Sequence, residues 1–190
     1  MSEKIILTDC DGVLLDWEAA FFDWMVAKGY TIKEKAVYNI GQAFGIPKEL
    51  GKKLVSEFND SAWIGFLSAQ GDARSGVAKL VEKGYQFVVI TSLSTDEKAK
   101  MLRISNLKNI FGKNVFIDVI CIGTGLDKDE ELEKYRDSGL YWIEDKPENA
   151  ELGLKLGLKS ILVEHTHNAD HDTKGMLYAT DWEEINLLIK

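Results

Sequence analysis

Two carboxylates two residues apart, Asp9 and Asp11, leave the apolar run Ile5-Ile6-Leu7 and enter an Asp-Gly turn at Gly12. Asp and Gly are common wherever a strand ends. Open α/β sheets, however, bind ligands at the carboxyl ends of their strands, near the point where strand order reverses, and a first strand lies beside that point. A second acidic pair, Glu144-Asp145, ends the run Tyr141-Trp142-Ile143 just ahead of Lys146-Pro147. Taken alone, acids in front of a helix cap it and complement its dipole. Four carboxylates gathered by two neighbouring strand ends repel one another unless a cation sits among them, and oxygen-only ligands with room for waters describe magnesium. Thr91-Ser92 follow Phe87-Val88-Val89-Ile90; a hydroxyl and backbone amides at a strand-to-helix turn either hold phosphoryl oxygens or simply make the turn. Lys128 follows the Gly-rich stretch Gly123-Thr124-Gly125, where a lysine is ordinarily solvated.

The elements that position these residues are short apolar runs at 5–8, 87–91, 115–122, 141–143 and 160–163, which read as buried strands. Ser94-Thr95-Asp96-Glu97 reads as a capping box opening a helix with Met101, Leu102 and Ser105 on one face. Pro147 suits a first helical turn, and Gly157 stops the helix that carries Leu152 and Leu156. Strands alternating with helices predict a Rossmann-like parallel α/β sheet of about five strands with helices on both faces. The first crossover is too long for one helix. Trp17, Ala20, Phe21, Trp24 and Met25 recur at helical spacing before Gly29; 47–58 reads as a second helix, and 72–83 as a third with Val77, Leu80 and Val81 toward the sheet. Residues 16–71 are therefore expected to form a small helical cap inserted after the first strand, with 1–15 and 72–190 as the core domain. Its aromatics, among them Trp17 and Trp63, are core by default.

Composition excludes several classes. With 190 residues the chain holds one average domain with a modest insertion. A net charge of −8 lacks the footprint of a duplex nucleic-acid binder. No stretch without Asp, Glu, Lys or Arg exceeds 12 residues, short of the roughly 20 of a spanning helix. The N-terminus has no secretory pattern, and two cysteines, Cys10 and Cys121, form no disulfide framework, so a reduced, cytoplasmic protein is expected. The cluster from His165 to Asp172 lacks a metal-ligand spacing and reads as a polar loop.

Asp-X-Asp after strand one, Thr after strand two, Lys after strand three and Glu-Asp after strand four resemble the four motifs of the haloacid dehalogenase-like superfamily. The likeness runs from Ile5 to about Val163, and the insertion looks like that superfamily's helical cap of the first type. Within it, Asp9-Cys10-Asp11-Gly12-Val13-Leu14-Leu15-Asp16-Trp17-Glu18-Ala19, Ala62-Trp63-Ile64 and Val89-Ile90-Thr91-Ser92 are similar to 5'(3')-deoxyribonucleotidases.

The resemblance implies a phosphatase of a small phosphorylated substrate, a nucleoside or deoxynucleoside monophosphate, working with Mg2+. Asp9 would be the nucleophile, and Asp11 the acid that protonates the leaving group and then the base for water. The metal would be held by Asp9, the Asp11 carbonyl and Asp145, with Glu144 on a metal-bound water. Thr91, Ser92 and Lys128 would bind the phosphoryl oxygens. Dehalogenases of the superfamily lack the second Asp. Trp17 and Trp63 would either flank a base or join cap to core. A sugar phosphate or other small metabolite, or a polynucleotide 3'-end, is the alternative substrate; the near balance of lysines and acids in 16–71 gives no basic stripe for the last.

Overall fold

The computed structural model describes residues 4–34, 39–173 and 175–190. Six parallel strands form one sheet: β1 (Ile5–Thr8), β2 (Gln86–Ser92), β3 (Phe116–Ile122), β4 (Tyr141–Glu144), β5 (Lys159–Val163) and β6 (Leu177–Ala179), in the order β3-β2-β1-β4-β5-β6. The five predicted strands are present, and a sixth is added. β6 is three residues long at the sheet edge, too short to carry an alternation that sequence reading can detect. Strand order reverses between β1 and β4, so the ends carrying the two acidic pairs are neighbours.

Side chains alternate across the sheet and build two cores. Ile6, Phe87, Val89, Ile143 and Ile161 point to one face, where they join Phe21, Met25, Phe58 and Leu80 in a continuous cluster. Leu7, Val88, Ile90 and Trp142 point to the other, against Leu132, Leu156 and Leu158. Burial on both faces explains why these strands read as unbroken apolar runs.

Between β1 and β2 lie α1 (Trp17–Ala27), α2 (Ile40–Phe44), α3 (Lys48–Asn59), a 3-10 turn (Ala62–Phe66) and α4 (Ala73–Glu82). Asp16 caps α1 by accepting from the Ala19 amide, and Gly29 at φ 90° follows its end. The α1 aromatics are packed as a core: Phe21 meets Trp17, Trp24, Phe44 and Phe58 at centroid distances of 4.7–6.3 Å. Residues 35–38 of the expected insertion and 1–3 and 174 of the expected core lie outside the described residues. On α4, Val77 and Leu80 are buried as expected, but Val81 is an exposed hydrophobic. Gly76 takes the contact face with them, because its missing side chain lets Trp182 of α8 (Trp182–Leu188) lie directly on the helix.

The helix after β2 corrects the sequence reading most. α5 (Glu97–Phe111) begins two residues later than a Ser94 cap implies: Asp96 accepts from the Lys98 and Ala99 amides, while Ser94 donates to Asp60. The buried face carries Ala99, Arg103, Asn106 and Leu107; Met101 and Ser105 are exposed and Leu102 is half-buried. The remaining helices are α6 (Asp129–Glu133), which Lys128 directly precedes, and α7 (Pro147–Lys155). No helix of the described residues is long and apolar enough to cross a membrane, and Cys10 and Cys121 are both free.

Candidate active site

The site begins with backbone pairing. Thr8 faces Ile143 in the β1–β4 ladder, and the Asp9 amide continues it by donating to the Ile143 carbonyl at 2.8 Å. Asp9 is thereby set beside Glu144-Asp145. One carboxylate oxygen each from Asp9, Glu144 and Asp145 lies within 4.8 Å of the others. The loop between β1 and α1 must pass close over this group. A Cβ on Gly12 would stand 2.4 Å from Asp145 Oδ2, and its φ of 79° is one that a side chain resists, so glycine is required there.

Lys128 is not solvated. It is buried, its ammonium 2.7 Å from Asp9 Oδ1, 2.8 Å from Glu144 Oε2 and 5.3 Å from the centroid of the Trp142 ring. Asp9 Oδ1 also accepts from the Cys10 amide at 2.7 Å, whereas Oδ2 takes no donor among the described residues. Glu144 is fully buried and its acceptor positions are filled. Oε1 accepts from the amides of Asp145 (3.1 Å) and Lys146 (3.0 Å), and Oε2 from Lys128 and from Asn149 Nδ2 (3.0 Å). An ionised carboxylate offers about four lone-pair positions, so Glu144 reaches a metal-bound water only by releasing one of these donors. As arranged, it anchors Lys128.

Three carboxylates against one ammonium leave a surplus of negative charge. Burial, and then the neighbouring Glu144, push Asp9 up to about 7; burial, and then Asp9, push Asp145 up to about 7. Burial also raises Glu144. Although burial works against its charge, the Asp9 and Glu144 carboxylates hold the Lys128 ammonium above its ordinary value. Crowded carboxylates that resist ionising together are what a hard divalent cation relieves. The donor set therefore fits magnesium, with Asp9 Oδ2 and Asp145 as the less committed oxygens.

Thr91 is buried and its hydroxyl has no hydrogen-bond partner among the described residues. An unmatched buried hydroxyl is costly and suits an acceptor supplied by a ligand. Ser92 differs from expectation: its hydroxyl donates to the Leu126 carbonyl at 2.7 Å, so it ties β2 to the loop after β3. Asp11 is half-buried, and both its oxygens are held by Arg103.

The two tryptophans part company. Trp17 donates from Nε1 to Asn59 Oδ1 at 2.9 Å, and Asn59 donates in turn to the Leu93 carbonyl beyond β2 at 3.0 Å, so this indole is linked to the sheet through the end of α3. Trp63, on the 3-10 turn, is 44% exposed.

Sequence reasoning missed Arg103, Asn149 and the braces behind the site. His165 Nε2 donates to the Gly12 carbonyl at 2.7 Å, and the buried Asn168 donates to the carbonyls of Asp145 (2.6 Å) and Val163 (2.8 Å). The segment expected to be a polar loop thus ties the ends of β4 and β5 to the Asp9–Gly12 loop. No pattern marked these residues, since their contacts follow no helical or strand periodicity.

No family model matches the sequence. An uncharacterized 32.4 kDa protein of Enterobacteria phage T4 is 31% identical over 141 residues, covering 70% of this chain, and the chain spans about half (49%) of that relative's length. Among solved structures, a predicted phosphatase from Clostridium acetobutylicum superposes with a TM-score of 0.71 at 15% identity over 98% of both chains. A haloacid dehalogenase-like family hydrolase from Streptococcus pneumoniae gives 0.69 at 13% identity, over 100% of this chain and 99% of that one. The D,D-heptose 1,7-bisphosphate phosphatase of Burkholderia thailandensis gives 0.60 at 14% identity over 97% of both. Over its full length, the chain has the fold of the haloacid dehalogenase-like hydrolases.

Proposed function

We propose that the chain is a magnesium-dependent phosphatase that cleaves a small phosphate monoester through an aspartyl-phosphate on Asp9. The observation that carries this reading is the convergence of Asp9, Asp145 and Lys128 at one end of the sheet, with the unpartnered Thr91 hydroxyl near the end of the adjoining strand β2. A phosphate dianion repels a carboxylate nucleophile, so positive charge must be present before attack. Magnesium, held by Asp9, Asp145 and the Asp11 carbonyl, would supply Lewis-acid charge and alignment. Asp9 Oδ2 attacks phosphorus, the bond to the ester oxygen breaks, and Asp11 gives that oxygen a proton. Water then attacks the phosphorus of the aspartyl-phosphate, Asp11 takes its proton, and inorganic phosphate leaves. Lys128 and the Thr91 hydroxyl stabilise the equatorial oxygens in both steps. Glu144 and Asn149 act behind Lys128 by fixing its direction.

Residues 16–71 form the cap that recognises the organic half of the substrate. A nucleoside monophosphate remains the first choice, because the exposed face of Trp63 is a stacking platform for a base. A sugar phosphate or other small metabolite is the second, favoured by the hydrogen bond and the Phe21 stack that already occupy Trp17. A polynucleotide end is disfavoured by the net charge of −8. The two free thiols fit a reducing compartment such as the cytoplasm. A phosphate-release panel of nucleotides and sugar phosphates, run with magnesium and with Asp9→Asn as blank, tests the reading. Release that is lost in Asp9→Asn supports it; equal release by both proteins contradicts it.

A further inference from the structure

Arg103 is the one fully buried guanidinium among the described residues, and nothing in the proposed chemistry so far uses it. It projects from the buried face of α5 beneath the Asp9–Asp11 loop. Nη1 pairs with Asp11 Oδ1, Nη2 donates to Asp11 Oδ2 at 3.1 Å, and Nη1 also lies 2.7 Å from Cys10 Sγ. Nε has no partner among the described residues, so the side chain is not fully matched by its surroundings. A helix face packed against a core is ordinarily filled by an apolar residue, and a buried charge is tolerated only where it is paired. Here the pairing partner is the carboxylate two residues beyond the nucleophile, and the pair is a planar fork rather than a single contact.

That geometry has a consequence for proton transfer. A carboxylate held along both oxygens by one guanidinium cannot turn about its last bond without breaking the fork. Each oxygen keeps one further lone pair, so the direction in which Asp11 gives or takes a proton is set by where Arg103 holds it. The Asp11 side chain is 22% exposed and Arg103 not at all, which leaves the edge away from the arginine as the open one.

We infer that Arg103 is a positioning residue for the acid–base step: its fork aims Asp11 at the ester oxygen of a substrate whose phosphorus is attacked by Asp9. The inference rests on the phosphatase reading above and extends it to a residue that itself touches no substrate. Lysine at 103 keeps the positive charge against Asp11 but offers a point charge on a flexible stem in place of a planar fork. Its effect therefore separates aim from charge.

The test compares wild type with Arg103→Lys on an alkyl phosphate, which needs its leaving oxygen protonated, and on a nitrophenyl phosphate, which does not. Magnesium is present, and melting is followed in parallel. The inference predicts that kcat on the alkyl ester falls about 10- to 100-fold in Arg103→Lys, the cost of a misdirected group. KM should stay within about twofold, and the aryl ester should lose no more than about threefold. Should the lysine variant melt below the assay temperature, Arg103→Gln, which can donate one hydrogen bond to Asp11 without burying a charge, takes its place with the same expectation. Equal losses on the two esters would reduce Arg103 to a structural residue and overturn the inference, as would unchanged turnover on both. A wild-type protein that releases phosphate from neither ester overturns the phosphatase reading and this inference with it, an outcome distinct from an active wild type with an indifferent variant.

Discussion

The pairing of Arg103 with Asp11 changes what single substitutions at the site report. Asp11→Asn removes the proposed acid but also leaves a buried guanidinium facing an amide, whose NH2 cannot accept from it as the second carboxylate oxygen does. Breaking one side of a buried ion pair costs about 3–5 kcal/mol, so Asp11→Asn should lower the melting temperature clearly. Asp11→Asn combined with Arg103→Met, which removes both charges, should regain most of the loss; a double variant less stable than the single one would show that the fork is not what the asparagine disturbs. Glu144 poses the converse case. It anchors Lys128 and accepts from Asn149 and two amides, so Glu144→Gln should reduce turnover through a loosened lysine, by about 10- to 100-fold. Turnover equal to wild type would return Glu144 to a capping role only.

Packing between elements separates stability from chemistry. A Cβ on Gly76 of α4 would lie 2.4 Å from Cβ of Trp182 on α8, and neither residue carries a group used in the proposed chemistry. Gly76→Ala must push the two helices apart and should cost about 1–3 kcal/mol, read by denaturant unfolding, while turnover per folded molecule stays near wild type. A loss of turnover in the folded fraction would mean that α8, which reaches the Val13 carbonyl through Trp182 Nε1 at 2.9 Å, holds the Asp9–Gly12 loop in place through that contact. The same elements show what was legible in the sequence. β1 and β4 could be read because each is a short apolar run cut off by acids, but their adjacency is implied only by the resemblance of the motif order and is given by the sheet itself. α5 could be read as a helix but not oriented, because two of its buried positions are Arg103 and Asn106, which any periodicity count places outside. Asn106 is buried because its amide exchanges hydrogen bonds with both the amide and the carbonyl of Leu67. Such polar interior residues are defined by a single distant partner, and spacing along the chain carries no trace of one.

Taken together, the molecule concentrates buried negative charge at one end of its sheet, and its stability should depend on pH accordingly. Asp9 and Asp145 are pushed up to about 7, and burial also raises Asp11 and Glu144. A carboxyl raised in the folded state binds its proton more tightly there than in the unfolded chain. Without divalent cations, stability should therefore fall as pH rises from about 4 to about 7 and level off above. His167, held below its ordinary value by burial, and Glu133, held down by its hydrogen bond to Arg136, act in the opposite sense, while Glu18, raised by burial, acts with the four carboxylates. Magnesium should raise the melting temperature most above pH 7, where the carboxylates are ionised; a metal effect independent of pH would contradict the assignment of Asp9 and Asp145 as its ligands. The central claim, that Asp9 is the group phosphorylated during turnover, is tested most directly by quenching the protein in acid after mixing it with magnesium and nitrophenyl phosphate, then mapping phosphate by mass spectrometry. The account predicts a hydroxylamine-labile phosphoryl group on Asp9, absent when chelator is added and absent in Asp9→Asn. Phosphate release that persists in Asp9→Asn, or a label carried by any other residue, would contradict it.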